Sequence, residues 1–144
     1  MIHRQSEEKL KQLSTHFKAV AIIGPRQSGK TTLARKCFPN KPYVSLETPS
    51  DRNLALEDPI QFLKRYPDGA ILDEIQRAPE LLSWLQQNLD EDPRKGKFIL
   101  TGSNNFMLLE KVTQSLAGRV AFIEQLPFSL PELSDVPNAL HDLN

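Results

Sequence analysis

The sequence predicts an α/β fold: a five-stranded, mainly parallel sheet with helices on both faces. Two observations carry that prediction. Short apolar runs alternate along most of the chain with stretches of helical periodicity, and strands separated by helices imply parallel pairing covered on both sides. The first apolar run also leads directly into a glycine-punctuated loop and then a helix, the unit from which such sheets are built.

The elements follow in order. A polar, amphipathic helix over about residues 4–16 precedes the run Ala19-Val20-Ala21-Ile22-Ile23, which is short and apolar with two β-branched types, as a buried strand requires. Thr31 to Cys37 reads as a helix with Leu33 and Cys37 four apart on one face. Tyr43-Val44-Ser45-Leu46 reads as a second strand, and a helical stretch from Asp51 to Arg65 is interrupted at Pro59. Ala70-Ile71-Leu72 is a third strand after Gly69. Pro79 suits the first turn of a helix, whose broad apolar face holds Leu81, Leu82, Trp84, Leu85 and Leu89. Lys97 to Leu100 is a fourth strand. A helix from about Asn105 to Leu116 carries Phe106, Leu109 and Val112 at helical spacing, and Arg119 to Ile123 is a fifth strand. Residues 1–125 are thus expected to form one domain. Residues 126–144, with Pro127, Pro131 and Pro137, are expected to form a tail or linker.

Composition excludes several classes. Among 144 residues, 18 Lys and Arg balance 18 Asp and Glu, so no whole-chain charge points to nucleic acid or an anionic membrane. No stretch approaches the roughly 18 apolar residues of a membrane span, and the polar N-terminus does not read as a secretory signal. The single cysteine, Cys37, fits a reducing cytoplasm and reads as a packed thiol. His3, His16 and His141 have no metal-ligand spacing.

The chemistry concentrates in Gly24-Pro25-Arg26-Gln27-Ser28-Gly29-Lys30-Thr31, which matches the phosphate-binding pattern G-x-x-x-x-G-K-[ST] in full. Gly24 and Gly29 are expected to adopt backbone dihedrals that a Cβ forbids. The curled N–H groups then converge on a triphosphate at a helix N-terminus. Residues Gly24 to Thr32 form the expected binding loop, with Arg26 facing solvent. Lys30 supplies a point charge to the terminal phosphates, and the Thr31 hydroxyl holds Mg²⁺. The strand at Ala70 ends in Asp73-Glu74. Parallel strands deliver their C-terminal ends to one edge, so Asp73 is expected near Thr31 and the metal, and Glu74 is placed to polarise an attacking water. The fourth strand ends in Thr101-Gly102-Ser103-Asn104, between the loop and Asp73. There Ser103 or Asn104 either touches the terminal phosphate and water or caps the following helix. Arg119, after Gly118, reads from its own surroundings as an exposed residue near a helix C-terminus.

In this order these residues resemble a family of prokaryotic ATPases of the AAA+ superfamily, in which an N-terminal ATPase domain precedes an uncharacterised C-terminal region. The matching stretches are Gly24 to Leu33, Leu72-Asp73-Glu74-Ile75-Gln76, Leu100 to Ser103, Leu116-Ala117-Gly118-Arg119-Val120, and Leu126-Pro127-Phe128-Ser129 to Glu132-Leu133. The resemblance implies a P-loop NTPase three-layer sandwich that binds ATP or ADP with Mg²⁺. It implies Asp73 on the metal, Glu74 as the catalytic acid residue, Lys30 on the phosphates, Ser103 as sensor and Arg119 as a finger toward a neighbouring subunit. AAA+ proteins usually carry a helical lid after the fifth strand, and roughly twenty residues follow Ile123. The expectation is therefore a lidless domain, a truncated or split form of a longer protein, assembling as a homo-oligomer or with a separate C-terminal partner. A slow Mg²⁺-dependent ATPase is the leading reading and a nucleotide-loaded switch module the alternative. A small-molecule kinase would need an Arg-rich lid, and the only Arg beyond residue 94 is Arg119.

Overall fold

A computed structural model of the chain describes residues 2–25 and 28–125. Arg26, Gln27 and the expected tail 126–144, including the Leu126 to Leu133 stretch, lie outside the described residues.

Five strands form one sheet: β1 (Ala19–Ile23), β2 (Tyr43–Ser45), β3 (Ala70–Asp73), β4 (Phe98–Gly102) and β5 (Val120–Glu124). All pairings are parallel, in the order β2-β3-β4-β1-β5. The chain thus leaves the interior strand β1, passes beyond the places of β4 and β3 to the far edge, returns strand by strand, and finally lays β5 on the other side of β1. Its register aligns Ile23 with Gly102 and Glu124, so the loop that follows β1 opens level with the tips of β4 and β5.

Alternation along each strand builds two cores. Ala19, Ala21, Ile23, Leu72, Phe98 and Leu100 face one side. There they bury against α3 (Pro49–Glu57), α4 (Pro59–Lys64), α5 (Leu81–Asp90) and α6 (Phe106–Leu116). Val20, Ile22, Ile71, Ile99 and Ile123 face the other, against Leu10 of α1 (Ile2–Ser14) and Leu33 and Ala34 of α2 (Lys30–Cys37). Burying both faces is why β1 is apolar at every position and shows no polar alternation. Phe62 and Phe98 are fully buried, and truncating either to alanine would remove about 3–5 kcal/mol by the usual core measure.

Local chemistry sets the boundaries. The helical stretch beginning near Asp51 divides at Pro59 because Asp58 accepts the Gln61 N–H at 3.2 Å and caps a new helix. α6 is capped by Asn105, whose side chain accepts the Leu108 N–H at 3.0 Å, so capping falls to neither Ser103 nor Asn104. α1 begins and ends about two residues before the span its pattern indicates. Trp84 departs from its expected core position. It is 38% exposed, while Leu81, Leu82, Leu85 and Leu89 are wholly buried. The indole stands on the solvent edge of the apolar face, lining a cleft of about 440 Å³ with Ile60, Leu63 and Lys97. Cys37 is half-buried beside the Glu7 carbonyl, and burial pushes its thiol up, away from the reactive thiolate.

Candidate functional site

Every strand points its C-terminal end to one edge of the sheet, and the polar residues of the motifs gather there. The glycine-punctuated loop leaves β1 at Gly24 and enters α2 through Gly29, which has φ 86° and serves as the helix N-cap. Only Gly29 of the loop's two glycines sits in the left-handed region. Gly24 needs its missing side chain for a different reason, correcting the expectation of special dihedrals at both. A Cβ there would lie 2.3 Å from the backbone oxygen of Gln125, the residue that continues β5 and donates its N–H to Ile23 O at 2.8 Å. The loop is thus wedged against the tip of β5.

Two loop side chains are buried. The Lys30 ammonium donates to the Pro25 carbonyl at 3.1 Å and is nearly inaccessible. Ser28 is fully buried, and its hydroxyl has no hydrogen-bond partner among the described residues. A buried hydroxyl without a partner is costly, so this cradle has unused polar capacity.

Asp73, at the end of β3, ties the edge together. Its Oδ1 accepts from Thr31 Oγ1 and Thr101 Oγ1, both at 2.6 Å, and its Oδ2 accepts from Tyr43 Oη at 2.7 Å. Three short hydroxyl bonds to one carboxylate fix its position strongly. They join α2, β3, β4 and β2. Burial and the Asp73 hydrogen bond push the Tyr43 phenol up to about 12, partly opposed by Arg35, whose guanidinium lies 4.5 Å over the ring. Thr101 also accepts the Glu74 N–H at 3.1 Å.

Glu74 follows immediately, with φ 59° and ψ 55°. Among the described residues it is the sole non-glycine with positive φ. A residue with a Cβ in the left-handed region carries backbone strain, and such strain concentrates at functional positions. Its carboxylate accepts from Gln76 Nε2 at 2.6 Å, and Gln76 Oε1 accepts the Ser103 N–H at 3.2 Å.

Among the sequence-predicted residues, then, Gly24, Pro25, Ser28, Gly29, Lys30, Thr31, Thr32, Asp73, Glu74 and Ser103 belong to the loop or to the neighbouring strand tips. Arg119 does not join them. It precedes β5, and its carbonyl accepts the Ala19 N–H, which puts it at the opposite edge, about 15 Å away along a five-residue strand. There it is paired with Asp90 of α5 through two nitrogens. Tyr43, Thr101 and Gln76 carry the site's hydrogen bonds without having been assigned a role from sequence. Thr101, a polar residue ending an otherwise apolar run, was the one legible hint.

A sheet of this order, with the phosphate-loop pattern after an interior strand and an acidic residue at the tip of the strand next but one, is the P-loop NTPase architecture. A model of the AAA domain family matches residues 16–134, and the chain belongs to that family. It is 32% identical over 123 residues to the uncharacterized protein Rv2008c of Mycobacterium tuberculosis and equally to Mb2031c of Mycobacterium bovis. The match covers 84% of this chain and 28% of those relatives. Among solved structures, the fold resembles the P-loop NTPase domain of the sigma-54 transport activator from Escherichia coli. That likeness has TM-score 0.57 and 19% identity over 86% of this chain and 94% of that one. It also resembles the Walker-type ATPase of Pyrococcus abyssi, with TM-score 0.60 and 17% identity over 94% and 60% of the two chains. Domain III of the Thermotoga maritima replication initiation protein DnaA is similar too, at TM-score 0.53 and 20% identity over 85% and 61%.

Among the described residues, no helix is long and apolar enough to cross a membrane. No cluster of three or more His, Cys, Asp or Glu side chains among them could cage a metal. A divalent cation here would be shared with a ligand, as Mg²⁺ is when held by one carboxylate, a hydroxyl and substrate phosphates.

Proposed function

We propose that the chain binds ATP with Mg²⁺ at the Gly24–Thr32 loop and hydrolyses it slowly. The observation that carries this reading is the meeting of Thr31 and Asp73, 42 residues apart in sequence, at 2.6 Å beside the loop. A hydroxyl and a carboxylate are hard oxygen donors suited to Mg²⁺. The unpartnered Ser28 hydroxyl and the buried Lys30 ammonium add unused hydrogen-bonding capacity in the same cradle.

Each residue has a role in this reading. The loop N–H groups between Gly24 and Thr32, at the start of α2, receive the phosphate oxygens. Lys30 exchanges the Pro25 carbonyl for the terminal phosphates. Thr31 and Asp73 hold Mg²⁺, which when bound neutralises charge on the phosphate oxygens. Glu74 orients the attacking water and accepts its proton, and Ser103, at the tip of β4, senses the terminal phosphate. Arg119, at the far edge, serves as a finger into the site of a second copy, so turnover belongs to an assembly. Adenine as the base rests on the family resemblance, and the cytoplasm as the compartment on the single cysteine.

Calorimetric titration with ATP and Mg²⁺ tests the site. The wild type binds, and Lys30→Ala loses about 100-fold in affinity, the scale of charge-assisted bonds to phosphate. Tight ATP binding by Lys30→Ala would remove the site assignment.

A further inference from the structure

The carboxylate of Glu74 is held by one neighbour that the proposed mechanism does not use. Gln76, in the short 3₁₀ turn Ile75–Arg77, donates its side-chain N–H to Glu74 at 2.6 Å. Its carbonyl end accepts the Ser103 backbone N–H at 3.2 Å. The carboxylate requires a donor and the backbone N–H requires an acceptor, so both neighbours impose the same amide orientation. The space for this bridge is built into β4. A Cβ on Gly102 would stand 3.1 Å from Gln76 Oε1 and 2.7 Å from Leu108 Cδ2. A side chain at 102 would therefore crowd the amide away from Ser103.

We propose that Gln76 is a positioning residue that couples the tip of β4 to Glu74. This inference rests on Glu74 acting on water. β4 lies between β1, which leads into the phosphate loop, and β3, which ends at Asp73. Drawing Glu74 toward Ser103 thus turns its carboxylate over the strand tip beside the loop. The hydrogen bond from Gln76 Nε2 is what fixes the carboxylate end of the side chain there. A displacement of Ser103 by a bound terminal phosphate passes through a single amide to the carboxylate that handles the water.

Two variants and one spectrum test the coupling. Gln76→Met keeps the length and bulk of the side chain and removes both hydrogen bonds. The expected result is a kcat lower by about tenfold to 100-fold, with KM for ATP unchanged within about twofold. In nucleotide-free protein, Glu74→Ala shifts the Ser103 amide resonance in a ¹⁵N–¹H spectrum, and that shift disappears in the Gln76→Met background. Glu74-dependent turnover that is unchanged in Gln76→Met, or a Ser103 shift that persists without Gln76, overturns the coupling alone. A wild type with no Glu74-dependent turnover overturns the hydrolysis reading, and the role of Gln76 with it.

Discussion

The two edges of the sheet both carry polar side chains and treat them in opposite ways. At the C-terminal edge Lys30, Asp73 and Thr101 are buried, one serine hydroxyl is unpartnered, and Glu74 is strained. At the N-terminal edge the charges are paired with one another, most of them near the surface and Lys97 buried. Arg119 meets Asp90, Arg94 meets Asp68 and Asp92, and Lys97 reaches Asp92 at 3.0 Å. Hydrogen bonds from Arg94 and Lys97 hold the Asp92 carboxyl well below the usual carboxylate range, and Asp90 in turn holds the Arg119 guanidinium above its ordinary value. One edge is closed on itself. The other keeps polar capacity that its own side chains do not use, which is what a ligand site requires.

Substitutions that remove one hydrogen-bonding group from each edge sharpen this contrast. The largest stability effect is expected from Thr101→Val, which keeps the shape but removes a bond to Asp73 and leaves the Glu74 N–H unpaired. A loss of about 1–3 kcal/mol in denaturant unfolding is predicted.

Tyr43→Phe should cost less at neutral pH and show a distinctive pH dependence. The folded phenol titrates at about 12, above its ordinary 10.0. A raised pKa means that the hydroxyl's contribution is fully present below pH 10.0 and is lost as pH rises to about 12. The Tm difference between wild type and Tyr43→Phe should therefore close across that window. A gap that stays constant to pH 12 would mean that burial and the Asp73 bond together do not hold the phenol protonated in the folded state.

The smallest effect belongs to the other edge. Arg119→Ala removes an exposed ion pair and should leave Tm and ATP affinity nearly unchanged. In the proposed assembly it lowers only the part of turnover that rises with protein concentration. A variant with weakened binding at its own loop would break the separation of the two edges.

The fold was legible in the sequence because buried parallel strands must be apolar on both faces, as the three interior strands β1, β3 and β4 are over most of their length, while the edge strands β2 and β5 bury one residue each. Trp84 misled for a related reason. Helical spacing puts it near the leucines of α5, but the apolar stripe is wider than the neighbouring elements cover, and the indole falls on its margin. The convergence of Thr31 and Asp73 followed from strand direction alone. The second role of Thr101, the reach of Tyr43 from β2 and the Gln76 bridge did not, since each depends on side chains meeting across strands whose register no local pattern sets. Gly24 was legible as a necessary glycine, but its cause was not. The contact that excludes a side chain there comes from Gln125, about a hundred residues away in sequence.

The most direct test of the account is phosphate release from Mg²⁺-ATP by the wild type and by Glu74→Gln, measured at several protein concentrations beside nucleotide binding. The account predicts turnover that rises faster than linearly with protein concentration, and a Glu74→Gln protein that binds ATP equally well. That variant should turn over about 10²- to 10⁴-fold more slowly, the usual contribution of a positioned general base. Equal turnover by the two proteins, or firm ATP binding by a wild type that releases no phosphate, would contradict it.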